Sequence, residues 1–248
     1  MFTSNTTHMK ITVKEDFRKF KKGDEFELDL KPGEITFLVG HNGCGKSTLM
    51  FALRNKLDSF SQMDDKNSDG MKITDLQKQY RGIVKNVNVE GFDFNKAFFR
   101  DTIIDNPISI TNAATAWGLI SGGGFQDIKK SAGQKSISIQ VRMVANMMKI
   151  LGEHSDERIL IGIDELDDSM DVAAQMRMAH IWNDWIFSRY PNASILFITH
   201  SLFTVLGATH AGNGINTRCY DVSRKCYCTP EEYFAAETGH SIELREIK

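Results

Sequence analysis

The chain is expected to be α/β, a mostly parallel sheet flanked by helices, and three features of its sequence predict this. Three short apolar runs, Ile35 to Val39, Ile159 to Ile163 and Ile195 to Thr199, have the near-continuous hydrophobicity of strands buried on both faces. Segments with helical spacing alternate with them, as crossover connections in a parallel sheet require. The first run ends directly in the glycine-rich loop Gly40-His41-Asn42-Gly43-Cys44-Gly45-Lys46-Ser47. Its spacing of glycine, four residues, glycine, lysine and serine is that of a loop that wraps phosphate.

Taken in order, Ile11 and Val13 alternate with polar residues, and Phe26, Leu28 and Leu30 do so again, so both stretches read as strands. Lys31-Pro32-Gly33-Glu34 is a turn. Beyond the glycine-rich loop, Leu49, Met50, Leu53 and Leu57 space a helix over 47–57, and 58–70 is a polar, breaker-rich loop. A strand is expected around 83–89, and 92–120 is read as largely helical. Ile137, Val141, Val144, Met148 and Leu151 recur at steps of four and three, one face of a helix that ends near Gly152. Residues 172–189 are expected to form a further helix before the third buried strand.

A length of 248 residues suits one domain over 1–248, with an inserted smaller, partly helical lobe over approximately 90–150 and a C-terminal extension of the core over 201–248. Apolar residues at 41% and charged residues at 25% describe an ordinary globular chain, which excludes a disordered or fibrous one. A net charge of -2 supplies no field that would draw the chain to phosphate polymers, so nucleic acid is neither indicated nor excluded. The basic stretch Lys10, Lys14, Arg18, Lys19, Lys21 and Lys22 reads as a solvated face that could touch DNA or RNA. No apolar run approaches the roughly 18 to 20 residues that span a bilayer, and Met1 to Lys10 lacks the apolar core of a secretory signal. A cytoplasmic protein with no direct membrane insertion is the expectation. Cys44, Cys219, Cys226 and Cys228 are too sparse for a disulfide scaffold and lack zinc-site spacing, so reduced thiols follow.

The chemistry is concentrated in three places. In the glycine-rich loop, backbone N–H groups can turn onto phosphate oxygens, Lys46 adds a point charge, and Ser47 and Thr48 open a helix whose dipole favours anions. The strand Ile159 to Ile163 ends in Asp164 and Glu165, a carboxylate for Mg²⁺ and one to orient and deprotonate water. The run Ser131-Ala132-Gly133-Gln134-Lys135-Ser136 opens the helix with the 137–151 stripe.

This last run resembles the LSGGQ signature of the ATP-binding-cassette (ABC) class of P-loop ATPases, with Lys130 in place of leucine and Ala132 in place of the first glycine. Ser121-Gly122-Gly123-Gly124 is the rival position, but it opens no amphipathic helix. The resemblance implies a P-loop ATPase head with ATP and Mg²⁺ as cofactors, nucleotide on Gly40 to Thr48, metal on Ser47 and Asp164, and catalysis by Lys46, Glu165 and His200, the last as switch histidine. Ser131, Gly133 and Gln134 would cover nucleotide held by a second subunit, in a homodimer or ABC-type heterodimer, and Asp171 would be the D-loop aspartate. Either Phe17 or Phe20 would stack on adenine or belong to the core. The glutamine-loop residue stays open among Gln77, Gln79, Glu90 and Asp93. Lys135-Ser136 and Leu166, the latter where transporters usually carry proline, are similar to soluble SMC- and RecF-type members. That subtype implies a protein effector as partner, in nucleic-acid maintenance or defence; the alternative is the nucleotide-binding subunit of a transporter with separate membrane chains.

Overall fold

The computed structural model describes residues 6–17, 19–56, 86–101, 156–165, 167, 170–210 and 216–236. Nine strands appear among these residues: β1 (Thr7–Val13), β2 (Glu25–Leu30), β3 (Glu34–Val39), β4 (Val87–Glu90), β5 (Lys96–Asp101), β6 (Ile159–Asp164), β7 (Ala193–Ile198), β8 (Asn216–Asp221) and β9 (Cys226–Cys228). The helices that frame the sheet are α1 (Lys46–Lys56), α2 (Val172–Trp182), which continues as a π-helical turn over Asn183–Phe187, and α3 (Leu202–His210), and the described residues 230–236 are also helical.

The central sheet has the order β5-β6-β7-β3-β8-β9. It is parallel from β5 to β8, and β9 closes the edge antiparallel to β8. A second, antiparallel sheet has the order β2-β1-β4. The three apolar runs are β3, β6 and β7, side by side, and every residue in them is buried.

Burial on both faces follows from what each face meets. Ile35, Phe37, Ile161, Ile163, Ile195 and Phe197 join Trp182, Val205 and Ala208 of the helices on one side. There Phe197 packs against Phe37 at 5.8 Å between ring centroids and meets the Trp182 ring edge-on at 6.4 Å. The alternate residues Leu38, Leu160, Leu196 and Ile198 face the other way, onto Leu49 and Leu53 of α1 and the inward side chains Met9, Ile11, Phe26 and Leu28 of the small sheet. The period of two in β1 and β2 is that of strands with one face in the core and one in water.

Two elements differ from expectation. Residues 96–101 form a strand, not part of a helix, paired in parallel with β6. Lys-Ala-Phe-Phe-Arg-Asp is too short a mixed run to declare a strand alone, and pairing to β6 decides its conformation. Most of the inserted lobe expected over approximately 90–150 falls on 102–155, which lie outside the described residues. The helix expected over 172–189 is regular only to Trp182; the π-turn follows, and Tyr190 N–H closes onto Ile186 O at 2.7 Å. The extension after 201 supplies β8, inserted beside β3 and fixed there by Arg218, whose Nε donates to the buried Glu34 carboxylate at 2.6 Å.

Helices α2 and α3 touch backbone to backbone at Gly207, where a Cβ would stand 2.2 Å from Met176 O and 2.5 Å from Met176 Cα. Gly207→Ala therefore has to push the helices apart and is expected to cost roughly 1–3 kcal/mol, measured as a lowered urea midpoint with unchanged slope.

Candidate functional site

The loop after β3 turns back on itself through three glycines with positive φ, Gly40 (127°), Gly43 (75°) and Gly45 (112°). Two of them are also places where a side chain has no room. A Cβ on Gly40 would lie 2.7 Å from Ser223 Oγ, and one on Gly45 would lie 2.0 Å from the Phe20 ring. The loop then enters α1, with Leu49 N–H on Gly45 O at 3.0 Å.

Lys46 is buried in the loop it closes: its Nζ donates to Gly40 O at 2.8 Å and His41 O at 3.3 Å. His41 and Asn42 are exposed at the loop tip, and His41 Nδ1 lies 3.1 Å from Ser223 Oγ. Cys44 is buried, with its side chain in the core beside α1. Thr48 is buried and Ser47 half-buried in the first turn of α1.

Asp164 ends β6 and is buried. Glu165 follows with φ 52°, a left-handed conformation that a residue with a Cβ seldom takes, and its N–H donates to Ile198 O of β7 at 3.0 Å. This turn aims the carboxylate across the strand ends, where Glu165 Oε1 meets His200 Nε2 at 2.8 Å. The hydrogen bond from His200 holds the Glu165 carboxyl below the ordinary glutamate range; partial burial opposes the shift, and the charge of Lys46 adds to it.

A cleft of about 150 Å³ lies between these groups. Gly43, Gly45, Lys46, Ser47 and Thr48 form one wall, Glu165 and His200 the facing one, and Lys19 and Phe20 close it from the β1–β2 connection. Lys46, Glu165 and His200, far apart in sequence, thus share one opening at the carboxyl ends of three adjacent parallel strands, where ligands of open α/β sheets bind.

The other expected residues take several places in the fold. Phe20 is buried, 5.0 Å from the Phe26 ring and against Gly45, so it packs in the core while its ring also closes the cleft. Asp171 is exposed and caps α2, accepting Ala174 N–H at 2.8 Å. Glu90 accepts from Asn88 at 2.6 Å and Asp93 pairs with Arg158; neither lines the cleft. Ser131, Gly133 and Gln134, the rival Ser121, and Gln77 and Gln79 lie outside the described residues.

Sequence reasoning missed the turn after β8. Asp221 accepts Ser223 N–H at 2.8 Å and Arg224 N–H at 3.1 Å, which sets Ser223 against Gly40 and His41. Asp-Val-Ser-Arg-Lys reads as an ordinary exposed turn, and nothing in its composition shows that the phosphate loop leans on it.

Comparison with known proteins gives this geometry a family. The pattern of the ABC transporter family matches residues 24–159, more than half of the chain. The chain belongs to that family. Membership places it among the ABC-class P-loop ATPases. It is similar to the aliphatic sulfonates import ATP-binding protein SsuB 2 of Mesorhizobium japonicum, with 24% identity over 72% of this chain and 65% of that protein. It is also similar to the hemin import ATP-binding protein HmuV of Vibrio parahaemolyticus, with 23% identity over 72% and 70% of the two chains. The match to the nucleoside import ATP-binding protein NupA of Lactococcus lactis is 44% identical but covers 22% of this chain and 11% of NupA. The chain thus spans less than two thirds of the length of SsuB 2 and of NupA. Among solved structures, cbiO1 of Clostridium perfringens, part of the ABC transporter complex cbiONQ, is similar at 16% identity over 97% of this chain and 96% of that one, with a TM-score of 0.47. These relatives are named as transport proteins, so the leaning toward SMC- and RecF-type members finds no support among them. No helix among the described residues is long and apolar enough to cross a membrane.

Two outcomes test the ABC-family site as built. Gly45→Ala meets both the strained φ and the Phe20 ring, so nucleotide affinity is expected to fall by at least about tenfold, the equivalent of about 1.4 kcal/mol, in equilibrium binding of a fluorescent ATP analogue. His200→Ala removes the hydrogen bond that lowers the Glu165 carboxyl, so that group should titrate nearer an ordinary glutamate. Because the folded value is depressed, the stabilisation is present above the unfolded carboxyl's pKa and disappears as pH falls through the folded one. The variant should be less stable at pH 7 by about 0–1 kcal/mol for so exposed a pair, and the difference should vanish in urea titrations at acid pH.

Proposed function

We propose that the chain binds Mg²⁺–ATP in this cleft and hydrolyses it after closing head-to-tail on a second copy or a related ABC subunit. The convergence of Lys46, Glu165 and His200 on one opening carries the reading. Nucleotide phosphates would take the place of the Gly40 and His41 carbonyls as acceptors for Lys46, while loop N–H groups and the start of α1 hold the remaining charge. Glu165, ionised and directed by His200, is placed to orient an attacking water. Its depressed pKa makes it an aligned acceptor more than a strong base.

The donor set fits Mg²⁺: the Ser47 hydroxyl on α1 and the buried Asp164 carboxylate are hard oxygen ligands. Among the described residues no group of three or more His, Cys, Asp or Glu side chains could hold a metal. The rest of the shell would come from phosphate and water. Bound there, Mg²⁺ would neutralise charge on the transferring phosphate.

Ser131, Gly133 and Gln134 of the partner would complete the site from outside, with Asp171 near the junction. Turnover would drive a separate membrane-embedded chain, with this chain bound peripherally at the cytoplasmic side, as the names of SsuB 2 and HmuV support. A second reading, gating of a soluble effector, rests on Leu166 and Lys135-Ser136 alone. Affinity capture of a Glu165→Gln protein with ATP separates them by recovering either an integral membrane subunit or a soluble protein.

Lys46→Ala should lose ATP binding. Glu165→Gln should keep it, slow turnover by about 10²-fold or more, and accumulate an ATP-dependent dimer in light scattering behind size exclusion. If Glu165→Gln turns over at the unmodified rate, Glu165 has no part in the chemistry. Ser131→Arg should retain monomer affinity and lose both dimer and turnover; full activity would move the signature to Ser121.

A further inference from the structure

Asp167 stands two residues beyond Glu165 in an acidic run, yet its side chain is 3% exposed. A buried carboxylate is tolerated when donors fill its lone pairs, and here the donors come from across the strand ends. The hydroxyls of Thr199 and Thr204 both donate to Asp167 Oδ2, the latter at 2.5 Å. Thr199 Oγ1 in turn accepts Ser201 N–H at 2.8 Å. Ser201 Oγ accepts the N–H groups of Phe203 and Thr204 at 3.2 and 3.3 Å, capping α3, and donates to Gln175 Oε1 at 2.7 Å. Gln175 closes the circuit, its Nε2 donating back to Asp167 O at 3.3 Å and Met170 O at 3.2 Å.

The circuit encloses the two catalytic candidates without including them. His200 lies between Thr199 and Ser201, both members. Glu165 enters the loop that Asp167 anchors, in a left-handed conformation that its own hydrogen bond to Ile198 O must hold against strain. Asp167 does not line the cleft.

We infer that Asp167 is a positioning residue for ATP hydrolysis: it clamps the loop carrying Glu165 to the segment carrying His200 and keeps those two side chains in register over the nucleotide. The inference rests on the ATPase reading above. A purely structural carboxylate that ties α3 to the strand ends would affect folding and leave the chemistry of folded protein alone. A clamp affects turnover first, because a misplacement on the order of 1 Å can cost about 10²-fold in rate.

The variants are Asp167→Asn and Thr204→Val, near-isosteric removals of the acceptor charge and of one donor, with Thr199→Ser as the variant that keeps its hydroxyl. In the full chain, kcat for ATP is expected to fall about 10- to 100-fold in the first two, measured below their thermal midpoints, while affinity for a fluorescent ATP analogue stays near wild type. Thr199→Ser should retain the rate. In a Glu165→Gln background, Asp167→Asn should add no further loss, because it acts through the side chain already removed. Unchanged kcat in both Asp167→Asn and Thr204→Val, or a loss that adds in full to that of Glu165→Gln, overturns the clamp. A wild-type protein without ATP turnover overturns the ATPase reading instead. Hydrogen exchange then decides on the clamp: Thr204→Val should lose protection at the Glu165 and Ser201 amides while α2 keeps its own, and unchanged protection there refutes it.

Discussion

Ile198 of β7 stands opposite Leu38 of β3 on one side and Asp164 of β6 on the other. This register brings three strands to a common level, and each then releases chemistry within two residues: Gly40 beyond Leu38, Glu165 beyond Asp164, His200 beyond Ile198. A slip of one residue in any of them would exchange its two faces. Phe197 would leave Trp182 and Phe37, and Ile198 would leave the side of α1. Core packing on both sides of the sheet therefore fixes where the catalytic ends lie, and the polar groups inherit their alignment from apolar contacts they do not share.

Level strand ends do not by themselves aim side chains inward. Gly40 and Gly45 take conformations closed to other residues, and each is pressed from outside, one by Ser223 and the other by the Phe20 ring. Glu165 reaches a comparable left-handed state with a Cβ, supported by Ile198 O and His200. The parts of the fold that seem remote from nucleotide, the β1–β2 connection and the turn after β8, are what make the loop's shape affordable.

Much of this was legible in the sequence because the signals were redundant. The phosphate loop is a spacing pattern, and the apolar runs around it and before Asp164 and His200 placed all three motifs correctly at strand ends. What escaped was set by tertiary context. Lys96 to Asp101 is made a strand by its pairing with β6, which its short mixed sequence does not announce. Asp167 reads as one more solvated acid in Asp164 to Asp171, and only the arrival of Thr199 from the end of β7 and Thr204 from the first turn of α3 makes it a buried acceptor. Asp171 also caps α2, a role that Asp at a helix start fills on local grounds alone. Leu166 and Lys135-Ser136 point toward one subtype, while the relatives matched along 72% of the chain carry transport names.

The depressed pKa of Glu165 bears on why such a site would need a second subunit. In the single chain His200 and Lys46 favour the carboxylate's charged form, and the pair stands partly in solvent. A carboxylate so held orients water well and accepts a proton poorly. Closure of a partner over the cleft would exclude solvent and bring the nucleotide's negative charge closer, and both effects raise a carboxyl's pKa. On the proposed head-to-tail reading, the geometry that orients water is present before closure, and closure makes the carboxylate a better acceptor.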